Sequence, residues 1–513
     1  MSILIRLFNH ALKKSTPSNT LKLILAFTVF YLYKYRSHAI GTHRRPDLKQ
    51  PKRTTPLIGH LLLLSSVRLE ESPQFFEKLY NELGPIWSIS LPGLGRIIEI
   101  DTPENIEYVL KTNFNNYRKG HVRRDINWEL SGDGIASSDG PKWKFQRQIW
   151  NTVFKDVAIR EYVSNASVSQ AKKALAILGK AADEGTVVDL QDLVLKLTLD
   201  VLGAATFGRS FGCLDKDEQV GTFAESFEDI LENMIQRLNN PFWKTTEHLN
   251  GTKKRLNEHR EVLRTYAQNI MNERRRAGFH SEKKDLLQSF IEGKDDEGET
   301  LDDELIKDNV ITLLVAGSDT TALSLTWLFY LLLRDGSDKS ITKLVQEVDE
   351  VLGGTEPTSE TFKKQKYAEA CFYEATRLYP VLPRNMRTTQ KDDVLPDGTV
   401  IYAGEHVSWS PYAMGRSERL WGSDAKEFKP SRWIGTEKPS QTKYITFNAG
   451  PRVCIGQQFA TIEVLTVTAM ILQSFNLELV NPSEAATYEP SLTLKKAGGL
   501  NVKVSRRSKA TAI

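Results

Sequence analysis

Cysteine is scarce in this 513-residue chain: there are three, Cys213, Cys371 and Cys454. They are far apart and form no CxxC pair, which argues against a zinc site or a disulfide framework and fits a reducing compartment. No internal repeat or low-complexity tract is present, and no Pro/Gly/Ser-rich linker divides residues 60–513. That stretch therefore reads as one large domain. There is no Gly-rich dinucleotide fingerprint and no ferredoxin-like cysteine set, so the sequence offers no nicotinamide, flavin or iron–sulfur motif.

Long apolar runs are also few. Leu23–Tyr33 is an uncharged stretch of eleven residues between Lys22 and Lys34, short against the roughly 20 residues that span a bilayer. Its flanking lysines can snorkel, and Phe30, Tyr31, Tyr33 and Tyr35 suit an interface. Residues 1–60 hold eleven Lys/Arg and one acid, net +10, which leaves −6 on the rest of a chain of net +4. A basic segment beside an apolar run suits an anionic membrane surface. No groove-reading motif follows it, so no nucleic-acid partner is expected. Residues 1–45 thus read as a membrane anchor with a basic flank. Residues 46–59, punctuated by Pro46, Pro51 and Pro56, read as a stiff hinge, and 60–513 as the main globular body. The first fifteen residues also resemble an amphipathic transit peptide, leaving mitochondrial import as the alternative.

Apolar alternation around Pro92-Gly93-Leu94-Gly95 predicts a β-hairpin over Ile86–Ile100. Helical periodicity predicts helices at 105–110, 143–154, 187–207 and 340–352. The longest lies between Thr300 and Leu333, with Thr300 as its N-cap. Short strands are expected near 399–402 and 492–504. The fold class is mainly α with a small β portion.

One cysteine sits in an unusual context, Phe447-Asn-Ala-Gly450-Pro-Arg452-Val-Cys454-Ile-Gly456. A thiolate that binds a metal accounts for these residue types. Gly450 and Gly456 let the backbone turn and aim amides at sulfur. Phe447 can shield it from water. A helix beginning after Cys454 adds its N-terminal dipole to the anion.

This segment is similar to FxxGxRxCxG, the heme-binding signature of the cytochrome P450 family. Three further motifs follow the family's pattern. Glu374-Ala-Thr-Arg377 resembles ExxR, and Phe428-Lys-Pro-Ser431-Arg432-Trp433 resembles FxPxRF/W, although the family usually has Glu where Ser431 stands. Trp143-Lys-Phe-Gln-Arg147 resembles WxxxR, and Ala316-Gly317-Ser-Asp319-Thr320-Thr321 resembles AGxDTT. The resemblance implies the cytochrome P450 fold and heme b with Cys454 as its axial metal ligand. It implies a buried triad of Glu374, Arg377 and Arg432. Trp143, Arg147, Arg387 and Arg452 would contact heme propionates, and Asp319 with Thr320 would deliver protons to oxygen at the iron. It also implies NADPH–cytochrome P450 reductase as electron donor, membrane lipid as a partner, and an endoplasmic reticulum membrane location with the catalytic body facing the cytosol.

The segments Val109–Gly120, Gly132-Asp-Gly134-Ile135 and Leu378–Arg416 look like the long-chain fatty-acid ω-hydroxylase branch. That implies a hydrophobic small-molecule substrate oxidised at its terminal carbon. Candidate pocket walls are the 120–135 loop, Leu313–Ala316, Val381–Arg384 and the Gly498-Gly499-Leu500 turn. Some members of that branch link heme through a Glu on the long helix; Ala316 stands there, so no such bond is expected. The alternatives are oxidation of another hydrophobe (an alkane, sterol or xenobiotic), binding without turnover, or peroxide rearrangement.

Overall fold

The computed structural model describes residues 16–154, 157–215, 218–278, 286–294, 298, 300–334 and 340–507. The transit-like first fifteen residues lie outside them. Helices of twelve or more residues are numbered α1 (Pro17–Lys34), α2 (Ser72–Leu83), α3 (Gly140–Phe154), α4 (Val157–Glu184), α5 (Leu190–Phe207), α6 (Glu218–Asn239), α7 (Thr252–Ala277), α8 (Asp303–Arg334), α9 (Ser340–Leu352), α10 (Lys366–Leu378) and α11 (Gln457–Ser474).

Leucine, valine and alanine crowd α5, α8 and α11 on all sides, and these helices are buried nearly throughout. They form the main core, with Leu197, Val201, Leu314, Trp327 and Val464 at its centre. At about 1.5 Å per residue, the 32-residue α8 is roughly 48 Å long. It begins at Asp303, not at Thr300. Asp302 Oδ1 accepts from Leu305 N at 2.7 Å and so does the capping, while Thr300 bridges Lys294. Likewise the helix expected from Val187 begins at Leu190. Asp189 Oδ1 caps it from Gln191 N at 2.9 Å, and the β-branched Val187–Val188 pair extends as a strand instead.

Among the described residues ten strands accompany the helices: β1 (Ile86–Leu91), β2 (Gly95–Ile100), β3 (Tyr117–Arg118), β4 (Val187–Asp189), β5 (Asn385–Thr389), β6 (Asp393–Val394), β7 (Val400–Ile401), β8 (His406–Trp409), β9 (Phe475–Leu479) and β10 (Asn501–Arg506). The main sheet runs β1-β2-β8-β5-β3, and β4-β10-β9 and β6-β7 form two smaller sheets. The β1–β2 hairpin pairs Ile86 with Ile100 as its alternation predicts. Of the 492–504 stretch, only its end is a strand.

The proline-punctuated segment is fastened to the sheet. Ser88 N donates to Lys49 O at 2.9 Å and His60 N to Ser90 O at 2.9 Å. Arg45 is buried and pairs with Glu405 at 3.1 Å. Ahead of it, Tyr31 and Tyr35 of the N-terminal helix region are buried, while Leu21, Leu25, Val29 and Tyr33 of α1 are exposed. Among the described residues only the buried α8 is long and apolar enough to cross a membrane; α1 is not.

Candidate functional site

Cys454 lies three residues before α11. Its amide donates to Phe447 O at 2.8 Å, closing the loop. Gly450 makes that loop possible. Its φ is +67°, and a Cβ there would stand 2.2 Å from Leu110 O, a position L side chains cannot take. Gly456 is different: its φ is −85° and a Cβ would meet nothing. Its amide points at the thiol. Burial pushes the Cys454 thiol up, while the Gly456 amide, the Arg147 cation and the Gln457 amide pull it down. Phe447 is half-buried and packs edge-on against Phe372 and Tyr444, both at 6.1 Å.

Cys454 is exposed by surface area though it lies deep in the fold. Ala316 shows the same mismatch in the middle of α8, whose segments 310–314 and 321–332 are buried. Cys454 lines a cavity with Phe362, Tyr373 and Ile462. Gly317 does not open the helix, which is continuous. A Cβ there would meet Leu202 at 2.7 Å, so the glycine permits close crossing with α5. Asp319 and Thr320 are not hydrogen-bonded to each other. Thr320 Oγ1 donates to Ala316 O at 2.6 Å. Asp319 turns toward Thr493, has one carboxylate oxygen buried without a partner, and is pushed up to about 6 by burial. Successive residues on a helix lie about 100° apart, which separates the two.

Beneath lies a cluster of cations. Arg387 is buried and held down to about 9, first by burial and then by the Arg452 and Arg123 charges. Arg452 is held down to about 10 by burial, and Lys119 well below its ordinary value by burial and the same arginines. The carboxylate among them is Asp139, which accepts from Arg452 Nη2 at 2.8 Å and from the Lys119 and Gly120 amides at 3.1 and 3.0 Å. Arg387 Nε and Nη2 and Arg123 Nε are buried with no hydrogen-bond partner. Trp143 stacks on the Arg452 guanidinium, 4.4 Å from the ring centroid. Arg147 donates to Val453 O of the cysteine loop at 2.9 Å, and its charge acts on Arg452. Lys119 and Arg123 were not singled out from sequence as members of this cluster; a lone Lys and Arg in a polar loop carry no signal of their own.

On the other side of the cysteine loop, Glu374, Arg377 and Arg432 meet. Arg377 forks onto Glu374 with two bonds of 2.7 Å, and Arg432 Nε reaches it at 3.2 Å. The Lys429 amide and Trp433 Nε1 complete the carboxylate's partners, both at 2.9 Å. Glu374 is thus fully satisfied without help from position 431.

The Cytochrome P450 family model matches residues 49–503. The chain belongs to the cytochrome P450 family. Among its relatives, Cytochrome P450 94B3 of Arabidopsis thaliana is 34% identical over 95% of this chain and 97% of its own length. Cytochrome P450 86B1 of the same plant is 33% identical, covering 79% of this chain and 76% of that one. Cytochrome P450 monooxygenase cyp1 of Mycosarcoma maydis is 33% identical over 88% of this chain and 73% of its own.

The protein is therefore a P450 monooxygenase with heme b held by a cysteine thiolate. The residues present fit that group. An unpaired buried charge costs several kcal/mol, and here several cations with orphaned N–H donors surround one carboxylate. The two propionates of heme would pair with these cations. Cys454 would hold the iron, with Arg387, Arg452, Arg123 and Lys119 around the propionates. When bound, heme would supply dioxygen activation. The chain's own contribution is to fix the sulfur between aimed amides, to exclude water, and to place the Thr320 hydroxyl on the open face of α8, where it can donate and accept a proton. Ala316 offers no carboxylate for a covalent link.

Proposed function

We propose that this P450 hydroxylates the terminal carbon of a long-chain fatty acid, taking electrons from NADPH–cytochrome P450 reductase. The observation that carries this reading is a cavity with a mostly apolar wall. It starts at Leu64, Leu69 and Phe76 near α2 and ends at Leu492 and Thr493, beside Asp319. A mostly apolar wall with a few polar groups suits a hydrocarbon chain that carries a polar head. Of the walls named from sequence, Pro383 and Arg384 line this cavity, and so does Arg123. Leu313–Ala316 and the Gly498–Leu500 turn do not; the turn is tied to Asp189, whose carboxylate accepts from Leu500 N at 2.9 Å. The resemblance of three segments to the ω-hydroxylase branch supports the same substrate.

The exposed apolar face of α1, with Lys34 and Arg36 just beyond, supports attachment to the cytosolic face of the endoplasmic reticulum. Lys142 and Lys144 on α3, near the cysteine loop, suit an acidic electron donor.

Titration of the purified holoenzyme with C12–C18 fatty acids tests the substrate. The expected result is a low- to high-spin shift and, with reductase and NADPH, an ω-hydroxy product. No shift with any of these acids moves the assignment to another hydrophobe, such as an alkane, sterol or xenobiotic.

A further inference from the structure

Where the cavity wall is formed by the start of β5 and by β8, it turns polar. Arg384, Asn385 and Ser408 line it there. Arg384 lies flat over the Phe76 ring, 3.9 Å from its centroid. Its Nε donates to Ser408 Oγ at 3.1 Å, and its Nη2 bonds the Glu99 carboxylate. Glu99 is fully buried and also accepts from the Tyr80 hydroxyl at 2.7 Å. Three groups therefore hold this guanidinium still. Its Nη1 makes no hydrogen bond among the described residues, and the side chain keeps 30% exposure in a wall that is otherwise mostly apolar. The Asn385 amide beside it has no hydrogen-bond partner among the described residues either.

A rigid guanidinium with an open edge, set in a low-dielectric wall, is matched to a carboxylate, which it can grip with two parallel bonds. Glu99 does not compete for that edge, because its oxygens are engaged by Nη2 and Tyr80. The acid elsewhere on the wall, Glu489, is engaged by Lys495 at 3.1 Å. The second cation on the wall, Arg123, belongs to the buried cluster around Asp139. Three residues of extended chain, about 10 Å, separate Arg384 from Arg387 in that cluster.

We propose that Arg384 anchors the anionic head of the substrate, so that the cavity selects long-chain carboxylates over neutral chains of the same length. This rests on the fatty-acid reading above and names the residue that enforces it. With the head fixed, the number of carbons sets which atom reaches the reacting centre.

The test is a spin-shift titration of the holoenzyme with hexadecanoic acid and with its methyl ester. Removing Arg384 alone strands Glu99, so the informative variant is Glu99→Gln/Arg384→Met, which replaces the ion pair with neutral groups. Loss of charge-assisted hydrogen bonds should raise the acid's Kd by about tenfold or more and shift the ester's by less than about twofold. Arg384→Lys should recover part of the acid affinity. Equal weakening of acid and ester, or an unchanged acid affinity beside a responsive wild type, overturns the anchor and leaves the fatty-acid reading standing. A wild type that responds to neither ligand overturns both.

Discussion

Asp319 ties stability to pH. Burial raises its carboxyl to about 6 in the folded chain, against an ordinary value near ~4. Between these values the folded state holds more protons than the unfolded, so stability falls as pH rises through that window. The penalty is fully present above about pH 6 and absent below about 4, and amounts to at most about 3 kcal/mol. Asp319→Asn should therefore raise the midpoint of thermal inactivation at pH 8 and give less of that gain at pH 5; an equal gain at both sinks the assignment. Thr320 is tested by stoichiometry. Thr320→Ala should keep NADPH consumption but divert it from product to peroxide, and a variant with wild-type coupling removes Thr320 from proton delivery. Cys454→Ser should abolish the red-shifted Soret band of the reduced, carbon monoxide-treated protein.

At the scale of the element, the loop before α11 and the triad behind it are the rigid parts. Gly450→Ala has no room beside Leu110 O and no permitted φ. It should yield protein that fails to retain heme, read as the ratio of Soret to protein absorbance. Arg377→Ala strands Glu374 among its remaining donors and should cost about 3–5 kcal/mol, seen as little or no folded holoprotein. Helices such as α3, α5, α8 and α9 were legible from sequence, because long stretches rich in helix formers run without proline beyond the first turn. Their first residues were not. Asp302 and Asp189 cap α8 and α5, but Thr300 and the valines before Asp189 carry competing local preferences that only tertiary contacts resolve. Gly317 was ambiguous for the same reason: whether a mid-helix glycine opens a helix or admits a neighbour depends on Leu202, 115 positions earlier in the chain.

At the scale of the molecule, distant segments explain each other. The branch-like stretches 109–120 and 378–416 converge on Asp393, which accepts from Tyr108 and Tyr117 hydroxyls at 3.0 and 2.8 Å and from Asn113 Nδ2 at 2.8 Å. Gly132 and Gly134 lie against Asp308 and Thr312 of α8, where a Cβ would clash. These signatures thus hold loops in place. The cysteine motif was legible because its chemistry is local to ten residues. The cation cluster was only half legible because Lys119 and Arg123 meet Arg387 and Arg452 through folding alone. The N-terminus follows the same logic. Deleting residues 1–29 spares Tyr31 and Tyr35 and should release active enzyme from membranes on centrifugation. Deleting residues 1–59 removes Arg45 from buried Glu405 and should yield little protein with a normal carbon monoxide spectrum; similar yields from both would show that the docked segment is dispensable.

The crowd of like charges around Asp139 has a consequence for how the enzyme is made. Until a dianion arrives, Lys119, Arg123, Arg387 and Arg452 push one another apart. A host starved of iron or porphyrin precursor should therefore accumulate chain that proteases clear, and feeding the precursor should raise the amount of intact polypeptide as well as its colour.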